Sequence, residues 1–366
     1  SLGATDDYNR FIRRAQSYKN VFDPSSGFMR GKNNGMFHSP FDPAEVNNYY
    51  TEANSWQYSF YVPQDVSGLM ALHGGKEKFA NKLDALFTAS ETLKGRQQAD
   101  ITGLMGQYAH GNEPSHHITY LYNYAGQPWK TQKNVNYILN NFYNNTPDGL
   151  CGNEDCGQMS AWYVMSSIGF YQVCPASNQY CIGTTVFDEV KIHLENGKTF
   201  YITSKNRSDK NYYVAGVKLN GMDLQQSYFM HDALMNGGKL ELTMKDVPET
   251  AKMIQPPVTL INDNFIVPAP FAVCNGRTFR DKMNVELKSI SDVATIYYRL
   301  SGADSSEKMY TTPVEINSSC TLSYVARQAD GQSSAVITTS FLKIPDNRFI
   351  ELKANYDPQY TAGGNE

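Results

Sequence analysis

The chain has 366 residues, 41% of them apolar and 19% charged, and its 32 Lys and Arg stand against 36 Asp and Glu for a formal net charge of −4. That length suits two or three domains with real cores, while the lack of any apolar run of about 18 residues excludes a membrane-spanning helix. With no basic run to hold a phosphate backbone, nucleic acid is excluded as a partner. The 25 Tyr and 18 Phe, with many Asn among them, suit polar, ring-shaped ligands such as sugars.

Residues 1–172 read as helical. Tyr8, Phe11, Ile12, Ala15 and Phe22 follow a Thr-Asp-Asp start at near-helical spacing, and Asp23-Pro24 closes that stripe. Further helices are expected at 54–61, 64–73, 114–125 and 157–170. Phe79, Leu83, Leu86 and Phe87 form another stripe after Gly74-Gly75, and Val135, Ile138, Leu139 and Phe142 another before the Asn-Asn-Thr-Pro turn at 144–147. About seven helices result, separated by long loops at 24–51 and 91–113 of the kind that serve function. After residue 172 the period becomes two. Val190–Leu194 and Thr199–Ile202 flank Asn196-Gly197, a strong hairpin signal, and strands continue over 214–219 and 239–244. A Pro-containing joint at 247–257 leads to a second β-rich stretch with alternating strands at 294–300 and 320–326. The polar end, 354–366, is expected to fray. Residues 1–7 lack the positive and apolar regions of an export signal.

The six cysteines are too few for a disulfide scaffold and none forms CxxC. Cys174 and Cys181 bracket a short loop and could bridge, free thiols being the alternative. Three polar clusters could carry chemistry. In Tyr50–Tyr58 a lone Glu52 sits among aromatic residues, and a carboxyl that rings desolvate is kept protonated, as a general acid requires. In 110–117, Pro114 fits a first helical turn, and His110, His116 and His117 match no zinc spacing. Oxygens of Asn112 and Glu113 suit a hard cation better. In 151–162, Glu154 and Asp155 lie between glycines just ahead of an apolar helix, where unsatisfied N–H groups favour an anion. A helix cap would account for one of these two acids.

These clusters resemble the signature blocks of glycoside hydrolase family 92, the calcium-dependent exo-α-mannosidases. The resemblance is carried by Tyr50–Tyr58, by Gly106–His117, and by Gly152–Trp162 with Gly169-Phe170-Tyr171. Phe28–Gly31 and the hairpin at Asn196–Lys198 are similar as well, so the resemblance covers about residues 1–247. It implies hydrolysis of terminal non-reducing α-linked mannose with inversion, Glu52 as general acid and Asp155 as general base, with calcium near Asn112 and Glu113. Trp56, Gln57, His110, Asn153 and Glu154 would then line the sugar. Some members carry Asp where this chain has Asn153, so Asp155 would act alone as base, with Glu154 helping to orient. Residues 255–345 look like the small immunoglobulin-like domain appended to chitobiases, a spacer or brace.

The implied fold is multidomain α plus β. An incomplete α/α toroid of the six-hairpin type spans 1–172 and a β-rich segment 173–250, followed by a small β-sandwich at 255–345 and a polar tail at 346–366. About seven helices cannot close a ring of about twelve, so the expected partners are an N-terminal fragment of the same enzyme and mannose-containing glycans. The expected location is periplasmic or extracellular. A non-catalytic sugar-binding or scaffold protein on a hydrolase fold is the alternative, and activity separates the two. A phosphorylase would need a phosphate site that no Gly-rich loop or basic cluster near Glu52 or Asp155 offers.

Overall fold

The computed structural model describes residues 3–251, 254–259, 261–302 and 305–345. The tail at 346–366 lies outside the described residues. Two compact units emerge, one of Ser1–Gly31 with His38–Ile266, the other of Lys32–Phe37 with the residues from Val267 onward.

In the first unit, helix α1 (Thr5–Arg14) carries Asp6 and Asp7 in its first turn and Arg13 and Arg14 in its last, the arrangement that complements the helix dipole. It ends earlier than the apolar stripe predicts and buries none of its residues. Phe22 belongs instead to a two-residue strand, paired with Phe28-Met29. The cause is Asp23, whose carboxylate accepts from the Ser25 backbone and from the Ser25 and Ser26 hydroxyls, folding the chain into a turn. Helix α2 (Ser55–Tyr58) is held by a capping box between Asn54 and Gln57. Helix α3 (Val66–Leu72) is capped by Asp65, which accepts from the Gly68 N–H at 3.0 Å.

The stripes at 79–87 and 135–142 fall in α4 (Lys76–Thr88) and α6 (Pro128–Asn141), which bury Phe79, Leu83, Leu86, Val135, Ile138 and Leu139 in one core. Each such side chain contributes roughly 1.5–3 kcal/mol by burial. The single helix expected over 114–125 is broken into 3₁₀ turns at Glu113–Ser115 and Ile118–Tyr120 and a short helix α5 (Leu121–Tyr124). These turns are almost wholly buried, so packing on all sides replaces amphipathic periodicity. Helix α7 (Gln158–Ile168) ends on Gly169 at φ 114°, a left-handed cap only glycine adopts freely.

The Asn196-Gly197 hairpin forms as expected, with Glu189–His193 against Thr199–Lys205. It lies at the edge of a five-stranded sheet that continues through Gly238–Lys245, Tyr213–Leu219 and Met222-Asp223. Phe200, Ile202, Leu240, Leu242 and Met244 alternate into a second core with Phe170 and Phe229. Gln132 of α6 accepts from the Val214 N–H at 3.0 Å, tying helix to sheet. All six cysteines are free, so Cys174 and Cys181 form no bridge.

The second unit has two five-stranded sheets. Val285, Leu287, Ile296, Leu322, Tyr324 and Phe341 form its core, alternating with outward positions along each strand. The strands expected near 294–300 and 320–326 appear as Thr295–Leu300 and Cys320–Arg327. Unforeseen is the hairpin Lys32–Phe37, from what reads as a loop, whose strand Met36-Phe37 adds in parallel to Phe271–Val273. Asn34 exchanges two 3.0 Å bonds with the Ser340 backbone, and the Tyr324 hydroxyl donates to the Gly35 carbonyl at 3.1 Å. Gly35 has φ 74°, and a Cβ there would overlap Thr339 and Tyr324. Gly276 in the same unit has φ 81° with open space around it. Gly35→Ala is therefore expected to destabilise the chain by roughly 2–4 kcal/mol and Gly276→Ala by about 1, the difference being overlap added to backbone strain. Equal shifts in urea unfolding midpoint for the two would refute this account of Gly35.

Candidate active site

The first cluster hangs between two anchors. Tyr50 is buried and its hydroxyl donates to the Met29 carbonyl at 2.8 Å, while Ala53 and Asn54 are buried on the other side. Thr51 and Glu52 stand exposed between them, so the Glu52 carboxylate faces solvent rather than sinking among the rings. Glu52 has φ 56°, a left-handed conformation that side chains disfavour. Downstream, the Asn54 amide donates to Gln107 Oε1 at 2.8 Å and Gln57 Nε2 to the Gln107 carbonyl at 2.9 Å. Gln57 Oε1 accepts from the Asn54 N–H at 2.9 Å, so this buried amide is committed to the protein at both ends and does not line a sugar. Trp56 is half-buried, edge-on to Phe28 at 4.7 Å, with the Lys82 ammonium 5.1 Å from its ring. Burial lowers the Lys82 pKa to about 8.

In the second cluster, His110 is fully buried, with Nδ1 2.7 Å from the Tyr108 hydroxyl and Nε2 2.7 Å from that of Tyr143. Both ring nitrogens are taken, so His110 braces the loop and has none left for a ligand. His116 Nε2 lies 2.9 Å from the His110 carbonyl and its Nδ1 3.2 Å from Gln158 Nε2. His117 Nε2 bonds the Phe60 carbonyl at 2.8 Å. Burial depresses all three histidines, His116 and His117 to about 4 and His110 well below its ordinary value, with His116 adding repulsion at His110. Neutral at pH 7, they cannot serve as the acid. Asn112 is buried and its amide donates to the Glu52 carbonyl at 3.2 Å. Glu113 is half-buried, with Oε1 buried and without a hydrogen-bond partner, as is Thr102 Oγ1.

In the third cluster, Glu154 accepts from the Ser160 N–H at 3.2 Å and so caps α7, the role expected of one of the two acids. Asp155 is exposed at the start of the turn Asp155–Gly157, where Cys156 has φ 53°. Asn153 is exposed and donates to Asp100 Oδ1 at 3.1 Å. Glycines bring this loop onto the second cluster: a Cβ on Gly152 would overlap the Gly111 backbone, and one on Gly103 the Cys151 sulfur. The Asn112 bond then joins the second cluster to the first. The three loops therefore meet, and they carry Glu52, Glu154 and Asp155 as exposed carboxylates together with the buried Asn112, His110 and His116. Carboxylates so exposed can exchange protons with a bound ligand, which the buried histidines cannot.

Asn112 and Glu113 supply oxygens suited to a hard cation, and the orphaned Glu113 Oε1 is an atom such an ion would satisfy. Among the described residues no three His, Cys, Asp or Glu side chains converge on one point. An ion here would therefore draw on amide and backbone oxygens as well. Gln107, Tyr143 and Gln158 carry no individual mark of function in the sequence. Their only signal is membership of the signature runs or, for Tyr143, closeness to the Asn-Asn-Thr-Pro turn.

The histidine cluster sets a pH response. Because its folded-state pKa values lie below the ordinary 6.5, the unfolded chain binds more protons between pH 6.5 and 4. Stability is full above 6.5 and falls with pH across that window, by up to about 4 kcal/mol per pH unit for three protons. Urea unfolding at pH 7, 6 and 5 should show this, and His116→Gln should remove about a third of the slope. An unchanged slope would mean His116 does not titrate as its burial requires.

Three comparisons bear on these loops. Residues 1–246 match the glycosyl hydrolase family 92 catalytic domain, and residues 274–338 the chitobiase/beta-hexosaminidase C-terminal domain. A family GH92 alpha-mannosidase from Bacteroides thetaiotaomicron is 42% identical, covering 72% of this chain and 35% of its own, with a TM-score of 0.65. A family GH92 inverting mannosidase from the same species is 38% identical over 70% of this chain and 37% of its own, with a TM-score of 0.63. An uncharacterized secreted glycosidase of Arthroderma benhamiae is 29% identical over 269 residues, 66% of this chain and 33% of that protein. The chain thus spans about a third of the length of these relatives. With the family match covering all three loops, the chain belongs to glycoside hydrolase family 92 and carries, after it, a chitobiase/beta-hexosaminidase C-terminal domain.

Proposed function

We propose that this chain supplies the carboxylates of an inverting exo-α-mannosidase, with Glu52 as general acid and Asp155 as general base. The observation that carries the reading is the meeting of three loops, at Gly111 with Gly152 and at Asn112 with Glu52. These loops are about sixty and forty residues apart in sequence, and they combine exposed carboxylates with buried, hydrogen-bonded amides and imidazoles. In an inverting reaction the acid protonates the glycosidic oxygen as the C–O bond breaks. The base takes a proton from the water that attacks the opposite face. The relatives named as an alpha-mannosidase and an inverting mannosidase support terminal α-linked mannose in glycans as substrate. The chain's helical part corresponds, in this proposal, to residues 1–172 of an α/α toroid, with 173–250 as its β-rich completion and 255–345 as the appended sandwich. The remaining wall comes from the N-terminal part of the same enzyme. A secreted fungal relative supports a periplasmic or extracellular location.

Calcium fits the oxygens of Asn112 and Glu113, and bound there it would orient vicinal sugar hydroxyls and polarise them. Chelation of the complete enzyme is expected to abolish hydrolysis, with calcium restoring it; recovery with zinc alone would sink the assignment. Glu52→Gln should cost about 10²–10⁴-fold on a mannobiose but far less on an aryl mannoside, whose leaving group needs little protonation. Asp155→Asn should cost a comparable factor on both. Equal losses on the two substrates for Glu52→Gln would remove it as the acid. Intact activity in both variants would remove Glu52 and Asp155 from the reaction, whereas no hydrolysis by the complete unsubstituted enzyme would leave the sugar-binding scaffold as the better reading.

A further inference from the structure

We infer that Asn112 is a positioning residue for the acid, an inference that rests on the assignment of Glu52. Two independent features of the structure converge on it. The Asn112 amide donates to the Glu52 carbonyl at 3.2 Å, and Glu52 is held at φ 56°, where a side-chain-bearing residue does not settle unaided. Only Thr51 and Glu52 are exposed between buried Tyr50 and Ala53. The anchors on either side, Tyr50 to Met29 and Asn54 with Gln57 to Gln107, fix where this bulge begins and ends. They do not fix its peptide orientation. The bond to the Glu52 carbonyl bears on it directly, because it ties that peptide to the second loop.

Relaxation of Glu52 to the ordinary helical or extended region would turn φ by about 120° or more and swing its Cα–Cβ bond with it. The carboxyl would then leave the position from which it reaches a glycosidic oxygen. Asn112 is suited to prevent this. It is buried, so its amide is not exchanged for water, and it belongs to a loop that His110, Tyr108 and Tyr143 brace from beneath. Its Nδ2 serves Glu52, and the atom an ion would use is the other one, Oδ1. The two roles therefore belong to different atoms of one amide, and chemistry can separate them.

Asn112→Asp makes the separation. An aspartate keeps the oxygen a cation would use and adds charge, but ionised it is an acceptor only and faces the Glu52 carbonyl without a proton to donate. In the complete active enzyme, calcium affinity by titration calorimetry should stay equal or become tighter. Hydrolysis of a mannobiose should fall about 10–100-fold in kcat. An aryl mannoside with a good leaving group should lose less than about threefold, as a displaced acid costs little there. Amide hydrogen exchange across 49–56 should rise in both Asn112→Asp and Asn112→Ala, whatever happens to activity. Unchanged exchange there overturns the proposal. So does a fall in calcium affinity with equal rate losses on both substrates, which would make Asn112 a metal ligand alone. If Glu52→Gln shows no leaving-group dependence, the acid assignment has failed; if it shows one and Asn112→Asp does not, the positioning role alone has failed.

Discussion

The close approach of two backbones, at Gly111 and Gly152, is the contact on which the candidate site depends. No side chain fits between them, since a Cβ on either glycine would meet the other loop or Thr102. Glycine here buys proximity that no other residue permits, because both loops must come within van der Waals contact of each other's peptide atoms. Once they do, the rest is ordered by hydrogen bonds of the second loop: outward through Asn112 to Glu52, and inward through His116 to Gln158 at the start of α7. The exposed carboxylates of three distant segments are thereby referred to one frame.

That frame is polar and buried, which is unusual for a core and explains its composition. Tyr108, His110, Tyr143, His116 and Gln158 pass hydrogen bonds among themselves and to backbone carbonyls, while Gln107 bonds Asn54, Gln57 and the Ser90 carbonyl, so these polar groups find partners inside the fold. Around them the aliphatic stripes of α4 and α6 supply the hydrophobic core. A satisfied polar network is directional where an aliphatic core is not, so it fixes orientation as well as position. The depressed histidine pKa values follow from this burial and keep the network neutral, which prevents charge from competing with the carboxylates above it.

The sequence discloses the elements governed by local periodicity. The stripes of α4 and α6, the Asn196-Gly197 hairpin and the strands at Thr295–Leu300 and Cys320–Arg327 all depend on nearest-neighbour pattern, and all appear. Where a segment is buried on every side, as from Ser115 to Tyr124, periodicity vanishes and the expected helix breaks into turns. Local turn chemistry also overrides a stripe, as Asp23 does at Phe22. The hairpin Lys32–Phe37 could have been suspected from Asn34-Gly35, whose φ values of 52° and 74° suit a two-residue turn. Its pairing with Phe271–Val273 could not, because nothing local encodes a partner more than two hundred residues away.

The same distinction runs through the candidate site. Residue types were legible: carboxylates beside glycines, amides beside histidines. Their division of labour was not, because it depends on which atoms are already committed. Gln57 and His110 look like sugar-binding residues in sequence, yet each spends its polar atoms inside the fold. Glu154 and Asp155 are adjacent and chemically alike, yet one caps α7 while the other opens the preceding turn. A buried amide or imidazole holding two partners is rigid, and an exposed carboxylate is free to change its proton. The same three loops carry both kinds, and such a separation of holding from reacting groups is what the proposed two-carboxylate reaction would require of its protein.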